Sequence, residues 1–257
     1  MARLFVSGST DGLGLMAARL LAETGHAVVL HARNAARAED ARRSLPKCDA
    51  VVVGDLASLK ETRGVAEQVN RLGRCDAVIH NAGVGLRERL VRTAEGLPHV
   101  FAVNVLAPYV LTALVERPAR LVYMSSGMHR GADHGLDDLD WTRRRWQGSA
   151  AYSESKLCDV LLAFGVARRW PSVFSNAVNP GWVATKMGGP GAPDSPDEGR
   201  RTQVWLAVSD DPGARVSGEY FHHLRPQACD PAARDPSRQD QLLDLCQRFS
   251  GVALAGA

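Results

Sequence analysis

Nowhere in this chain of 257 residues is there an uninterrupted apolar run of about 18 residues, the length that crosses a bilayer. The start is just as poor in signal. One basic residue and Leu4-Phe5-Val6 precede the first glycine, too little for the apolar centre of a secretion signal. A soluble protein with no membrane partner is therefore expected. Cysteine is sparse, odd in number and scattered, at Cys48, Cys75, Cys158, Cys229 and Cys246. With no Cys-x-x-Cys, that pattern speaks against a disulfide framework or a metal cluster; reduced thiols, no metal and a cytoplasmic location are expected. The formal charge of +3 is small, and the local run Arg143-Arg144-Arg145 is not part of an extended basic face interleaved with aromatics. Nucleic acid is accordingly not an expected partner, and that run is expected to be a solvated patch. Repeats and low-complexity tracts are also missing.

What is there, with 45% hydrophobic and 23% charged residues, suits one α/β domain spanning residues 1–257. Its centre of interest is Ala150-Ala151-Tyr152-Ser153-Glu154-Ser155-Lys156-Leu157. A tyrosine and a lysine four residues apart on a helix share one face, so the ammonium acts on the phenol at short range. A phenol titrates near ~10, and a neighbouring cation favours its anion. Bringing it down by roughly three units takes about 4 kcal/mol, more than one exposed cation gives. A partly buried lysine helped by a cationic cofactor ring is the arrangement that would suffice. Leu157, Val160, Leu161 and Phe164 form one apolar stripe of a helix from about Ala151 to Arg169, and Tyr152 and Lys156 lie beside it.

The first thirty or so residues predict strand, turn, helix and strand, with Leu4 to Val6 and Ala27 to Leu30 continuously apolar, as strands of a doubly covered parallel sheet are. Between the first strand and the helix lies Gly8-Ser9-Thr10-Asp11-Gly12-Leu13-Gly14. Three glycines there allow a sharp turn, close approach of a phosphate to main-chain N–H groups and tight packing of helix on strand.

Gly-x-x-x-Gly-x-Gly together with Tyr-x-x-x-Lys resembles the short-chain dehydrogenases/reductases in their ordinary one-domain form, over about Arg3 to Phe221. Further motifs carry the same resemblance: His80-Asn81-Ala82-Gly83 after the fourth strand, Asn104 in Phe101-Ala102-Val103-Asn104, Ser125-Ser126 ending the fifth strand, and Asn179-Pro180-Gly181 after the sixth. Ser7 stands where the family usually has threonine, a change that keeps the hydroxyl. The resemblance implies a single Rossmann-type domain, a doubly wound parallel sheet of about seven strands. It implies a catalytic set of Asn104, Ser126, Tyr152 and Lys156. Asp55-Leu56, after a third strand at Val51 to Val53, looks like the adenine-contacting pair; Asn81, Ala82 and Gly83 lie where the cofactor's riboses would, beside Tyr152 and Lys156. Pro180, Gly181, Val183 and Thr185 form the nicotinamide-side loop. Members commonly pair through the helix that carries the tyrosine, so a homodimer is expected.

Which cofactor is decided at the end of the second strand, Ala32-Arg33-Asn34. An acidic residue there would accept from a ribose 2′-OH, whereas Arg33 offers a forked donor to a 2′-phosphate, with Asn34 beside it. NADP(H) is the expected cofactor. A helix from Gly96 to Val115 with Pro108 inside it must kink or lose a hydrogen bond near Asn104. The stretch from Gly127 to Ser149 is long for the family, and its length resembles the retinol-dehydrogenase-like branch; it holds His129, Asp133, His134, Asp137, Asp138, Asp140, Trp141 and Trp146 without the spacing of a calcium loop. His129 is near enough in sequence to the serine to be weighed as a substrate contact. Residues 186–200, rich in glycine and proline, are expected to form an irregular substrate lid, followed by a short helix Gln203 to Val208 and a last helix over Asp240 to Phe249.

The expected activity is NADPH-dependent reduction of a small-molecule ketone or aldehyde to an alcohol, or the reverse, on a hydrophobic substrate. A cofactor-sensing protein without activity would have lost part of the Asn, Ser, Tyr, Lys set, and none is missing. A lyase or epimerase on this fold usually has a larger substrate domain.

Overall fold

A computed structural model describes residues 1–85, 89–133 and 135–256; His134 lies outside them. The chain alternates strand and helix: β1 (Arg3–Val6), α1 (Gly12–Glu23), β2 (Ala27–Ala32), α2 (Ala35–Ser44), β3 (Ala50–Val53), α3 (Leu59–Arg71), β4 (Ala77–His80). Then come α4 (His99–Phe101), a π-helical turn (Ala102–Leu106), α5 (Ala107–Leu114), β5 (Arg120–Met124), a 3₁₀ turn (Gly127–Gly131), α6 (Gly148–Arg169) and β6 (Phe174–Asn179). The chain closes with α7 (Pro196–Val208), β7 (Tyr220–His222), β8 (Arg225–Pro226) and α8 (Pro236–Ser250).

The strands form one sheet in the order β3-β2-β1-β4-β5-β6-β7-β8. The first seven run parallel, as expected, and the two-residue β8 adds an antiparallel edge to β7. Both faces are covered, which is why the strands are mostly apolar, with His31, His80, Ser175 and Asn176 as buried polar exceptions. Leu4, Val6, Val28, Leu30, Ile79 and Val122 pack in one core with α1, α2 and α7 residues; Phe5, Val29, Val78, Leu121 and Tyr123 pack in the other with α3, α5, α6 and α8. From β1 the chain winds out through β2 to β3 and then crosses back to β4 on the other side of β1. The loops after β1 and β4 thus part at the carboxyl edge of the sheet and open a crevice there.

Three helices add to or differ from the sequence-based expectation, each for a physical reason. Helix α2 has no strong apolar stripe because the residues it buries are Ala38 and Ala41. Helix α7 starts at Pro196, inside the expected lid. Pro196 is at the first helical position, Ser195 accepts from the Asp197 N–H, and Asp197 and Glu198 occupy the first turn, so this proline starts a helix and does not prevent one. Helix α6 is buried all round from Ala151 to Val166, because α8 lies on the side that the sheet leaves open. The pairing expected through α6 therefore meets a face already covered by the chain's own C-terminal helix, with Leu243 close against Gly165. The five cysteines are all free thiols.

Candidate active site

The phosphate-turn glycines are required by contacts as well as by dihedrals. Gly8 has φ +63°, and a Cβ there would lie 2.7 Å from the Cα of Ala82; one on Gly14 would lie 2.3 Å from Nδ2 of Asn81. Asn81 donates from that nitrogen to the carbonyls of Ser7 and Gly8, and the Ser7 hydroxyl accepts from the Ala82 N–H at 3.0 Å. The retained hydroxyl of Ser7 thus ties the turn after β1 to the turn after β4. His31, which the sequence did not single out, completes the clamp: its Nδ1 accepts from the Gly8 N–H and its Nε2–H donates to the Gly54 carbonyl. Burial, against weaker pulls from Gly54 and Asp55, lowers the His31 pKa, in keeping with that neutral tautomer.

Helix α1 is preceded by Asp11 at its N-cap, whose side chain makes no cap hydrogen bond, and its first turn has no acidic residue. An N-terminus without a side-chain cap, reached by glycines, fits a dinucleotide's pyrophosphate. Asp11 faces outward to Arg37, at 2.6 Å, and to Lys186, at 2.9 Å. Burial works against its carboxylate, but those cations more than offset it and hold its pKa below the ordinary range.

On α6, Tyr152 is at the edge of the buried region and Lys156 is 5% exposed. The Lys156 Nζ donates to the Met124 carbonyl and to Oδ2 of Asp159, both at 2.8 Å, and lies 5.7 Å from the centre of the Tyr152 ring. It also lies beside Gly83, where a Cβ would be 3.7 Å away. Burial alone would lower its pKa, but the charges of Asp159 and Tyr152 outweigh that and raise it, so the ammonium stays charged. The two serines ending β5 have different tasks. Ser125 is buried and spends its O–H on the Lys156 carbonyl at 2.7 Å. Ser126 is more open, and its oxygen accepts from the Met128 N–H at 3.3 Å, which leaves its own proton to give.

His129 is fully buried and is no substrate contact. Its Nδ1 donates to the Ser126 carbonyl at 2.7 Å, and its Nε2 accepts from the Asp230 N–H, so it anchors the serine to the segment before α8. Asn104 lies in the π-helical turn, as the position of Pro108 anticipates: a proline has no N–H for the carbonyl four residues back, that of Asn104. Its side chain is fully engaged, accepting from the Val84 N–H and donating to the Val84 carbonyl and to Ser155.

At the end of β2, Arg33 is exposed, and Asn34 uses its side chain to cap α2 through the Arg37 N–H. Arg37, one turn into α2, donates to the Thr10 hydroxyl at 2.9 Å and is a second cation at this corner that the sequence reading missed; the spacing Arg33-x-x-x-Arg37 was the available signal. Asp55 accepts from the Ala57 N–H, while Leu56 is buried beneath α3. Ser9 donates to the Val6 carbonyl and Leu13 packs near Gly199.

After β6, Gly181 has φ +86° and makes room for Asp194, whose carboxylate receives the Trp182 N–H. Pro180 and the buried Val183 line up against Gly199, and Thr185 comes down beside Gly12, where a Cβ would be 3.8 Å from its methyl. Trp182 and Met187 remain exposed at this mouth. In the run before α6, Arg143 and Arg145 are exposed as expected, but Arg144 is not simply solvated. Arg144 lies over the Trp141 ring and grips the buried Glu154, while Asp138 accepts from the N–H groups of Thr142 and Arg143.

A doubly wound sheet, an anion-receptive turn at its switch point and a tyrosine-lysine pair at its carboxyl edge define a dinucleotide-dependent class of protein. The chain belongs to the short-chain dehydrogenase family, on its retinol-dehydrogenase-like branch. The family's profile, described as short chain dehydrogenase, matches residues 3–128. The chain is 44% identical to the uncharacterized oxidoreductase AN7799 of Emericella nidulans, over 100% of each chain. It is 40% identical to the short-chain dehydrogenase chyC of Penicillium rubens over 99% of each, and 31% identical to human retinol dehydrogenase 13 over 97% of this chain and 84% of that one. An uncharacterized protein from Mycobacterium Paratuberculosis superposes with a TM-score of 0.86 at 26% identity, covering 99% of this chain and 95% of that one. A blue fluorescent protein from a metagenomic library, solved in complex with NADPH, follows at 0.70 and 21% identity, covering 91% and 98%.

Proposed function

We propose that this oxidoreductase reduces a hydrophobic ketone or aldehyde at the expense of NADPH, with Ser126, Tyr152 and Lys156 as its catalytic residues. The reading is carried by the buried, charged Lys156, set one helical turn from Tyr152 and beside the Gly83 turn. When bound, the reduced nicotinamide supplies the hydride. Ser126 donates a hydrogen bond to the substrate oxygen as negative charge grows on it, and the Tyr152 hydroxyl hands that oxygen its proton. Lys156 stabilises the phenolate left behind. Asn104, its side chain committed to Val84 and Ser155, acts through its main-chain carbonyl, which offers a water a seat towards Lys156. Arg33 and Arg37 receive the 2′-phosphate, with Thr10 hydrogen-bonded to Arg37; α1 receives the pyrophosphate. The exposed Trp182 and Met187 favour an apolar substrate body. Consumption of NADPH, followed by absorbance over a panel of ketones and aldehydes, tests the reading. Turnover is expected with at least one aromatic or long-chain carbonyl, and oxidation of NADPH that is indifferent to every carbonyl offered would sink it.

A further inference from the structure

Beneath the reacting groups lies a carboxylate that the proposed reaction does not use. Asp159 is 2% exposed, and its Oδ2 is 2.8 Å from the Lys156 Nζ. A carboxylate in that position cannot stay ionised without a partner, and a lysine as buried cannot either, so each keeps the other charged. The pair does more than satisfy its two members. With the Met124 carbonyl as second acceptor, it draws the ammonium toward β5 and brings a negative charge close to the cation that acts on Tyr152.

We propose that Asp159 is a positioning residue for the proton transfer: it holds Lys156 charged and in place, and partly cancels the field of that charge at Tyr152, so that the phenol keeps its proton and the site is set to donate. This rests on the carbonyl-reductase reading and adds to it the residue that sets Lys156.

The groups around Asp159 offer no rival explanation. On α6 itself it faces Lys156, with Tyr152 beyond it and the Cys158 thiol alongside. From β5 comes Tyr123, whose hydroxyl is hydrogen-bonded to Thr112 of α5 at 2.7 Å, and from β4 comes His80, whose ring lies against Tyr123 and bonds to the same threonine. From α8 comes the Cys246 thiol, against Cys158. Burial pushes Tyr123 and Cys158 up and His80 down to about 3, so all three stay neutral across the working range. Lys156 is thus the cation that Asp159 answers. Burial also raises the Asp159 carboxyl, against the pull of Lys156.

The chain has four tyrosines, which makes a direct test possible. Burial pushes Tyr109 up to about 12 and raises Tyr123 and Tyr220 further. Tyrosinate absorbance, followed against pH on the full-length chain with Tyr152→Phe as the reference, isolates the step that belongs to Tyr152. In Asp159→Asn that step should move down by about one pH unit or more, the effect of deleting a charge several ångströms away at an effective dielectric of about 20. Asp159→Glu, which keeps the charge, should stay close to wild type. If Asp159→Asn does not fold, Asp159→Ser, which leaves space for a water at Nζ, must show the same downward step. A step that stays in place or moves up would mean that Asp159 serves only to keep Lys156 charged, and would overturn the proposal. No substrate enters the titration, so the two readings fail separately. A protein that reduces no carbonyl yet shows the downward step refutes the reductase, and a reductase whose step does not move refutes the role of Asp159.

Discussion

The Arg144 guanidinium grips the Glu154 carboxylate with both prongs, Nη1 to Oε1 at 2.7 Å and Nη2 to Oε2 at 2.6 Å. Glu154 is only two residues beyond Tyr152 and is 2% exposed, so the segment before α6 is fastened to the same turn of helix that presents the phenol. Trp141, buried with a φ of +52° in the left-handed region, lies under the guanidinium.

Removing the cation should therefore be costly. Arg144→Ala leaves a buried carboxylate alone and is expected to lose about 3 kcal/mol of stability by urea unfolding, together with catalytic rate. Arg144→Lys keeps a charge but loses the fork, and should fall in between. A loss under about 0.5 kcal/mol for the alanine variant would mean that the pair is no more than a surface contact.

The catalytic assignment predicts a split between binding and rate. Tyr152→Phe should abolish nearly all turnover while NADPH still binds, because only the proton donor goes. Lys156→Ala should weaken both, since that ammonium lies beside the Gly83 turn as well as near the phenol. Calorimetry beside steady-state kinetics reads each effect, and a Tyr152→Phe protein with more than about a tenth of the wild-type rate contradicts the assignment.

At the end of β2, charge should decide the cofactor. Arg33→Asp is expected to lose on the order of a hundredfold in NADPH affinity and to gain for NADH, since the change removes a charge-assisted donor, adds repulsion and supplies an acceptor for a free 2′-OH. Arg37→Ala should weaken NADPH binding without helping NADH; it also frees Thr10 and leaves Asp11 paired with Lys186 alone. An Arg33→Asp shift of less than about threefold would place the 2′-phosphate chiefly on Arg37.

Acid should unfold the protein through its buried imidazoles. Burial lowers the pKa of His31 and His129 as well, and takes that of His80 to about 3. A base whose folded pKa lies below its unfolded value of about 6.5 contributes stability that is complete above that pH and is lost as the pH falls toward the folded value. The raised carboxyls of Asp159 and Glu154 act in the opposite sense, gaining stability as the pH falls, and soften the slope. His80→Asn isolates the effect: its urea midpoint should approach that of the wild type as the pH drops from 7 toward about 4. A gap that does not change with pH would deny the titration.

Light scattering should report a mass near that of one chain, because α8 already covers the α6 face through which a pair was expected to form. A dimer of the intact chain would have to use another surface, whereas deletion of α8 would uncover the α6 face and favour pairing there.

The fold and the chemical core of the site were legible because their signals are local. Largely apolar strands, glycines at positive φ in the turn after β1, a proline four residues after Asn104, and a tyrosine and lysine one helical turn apart are each set by backbone geometry within a few residues. The partners of those groups lie far along the chain, and only the tertiary structure decided them. His31 reaches from β2 to Gly8, His129 joins Ser126 to Asp230, Arg144 finds Glu154 across the turn into α6, and α8 returns to cover α6. Asp159 is a case between the two. Its spacing from Lys156 is visible in the sequence, but an ion pair on a solvated helix surface counts for little, and burial beneath β5 and α8 is what gives that carboxylate its effect.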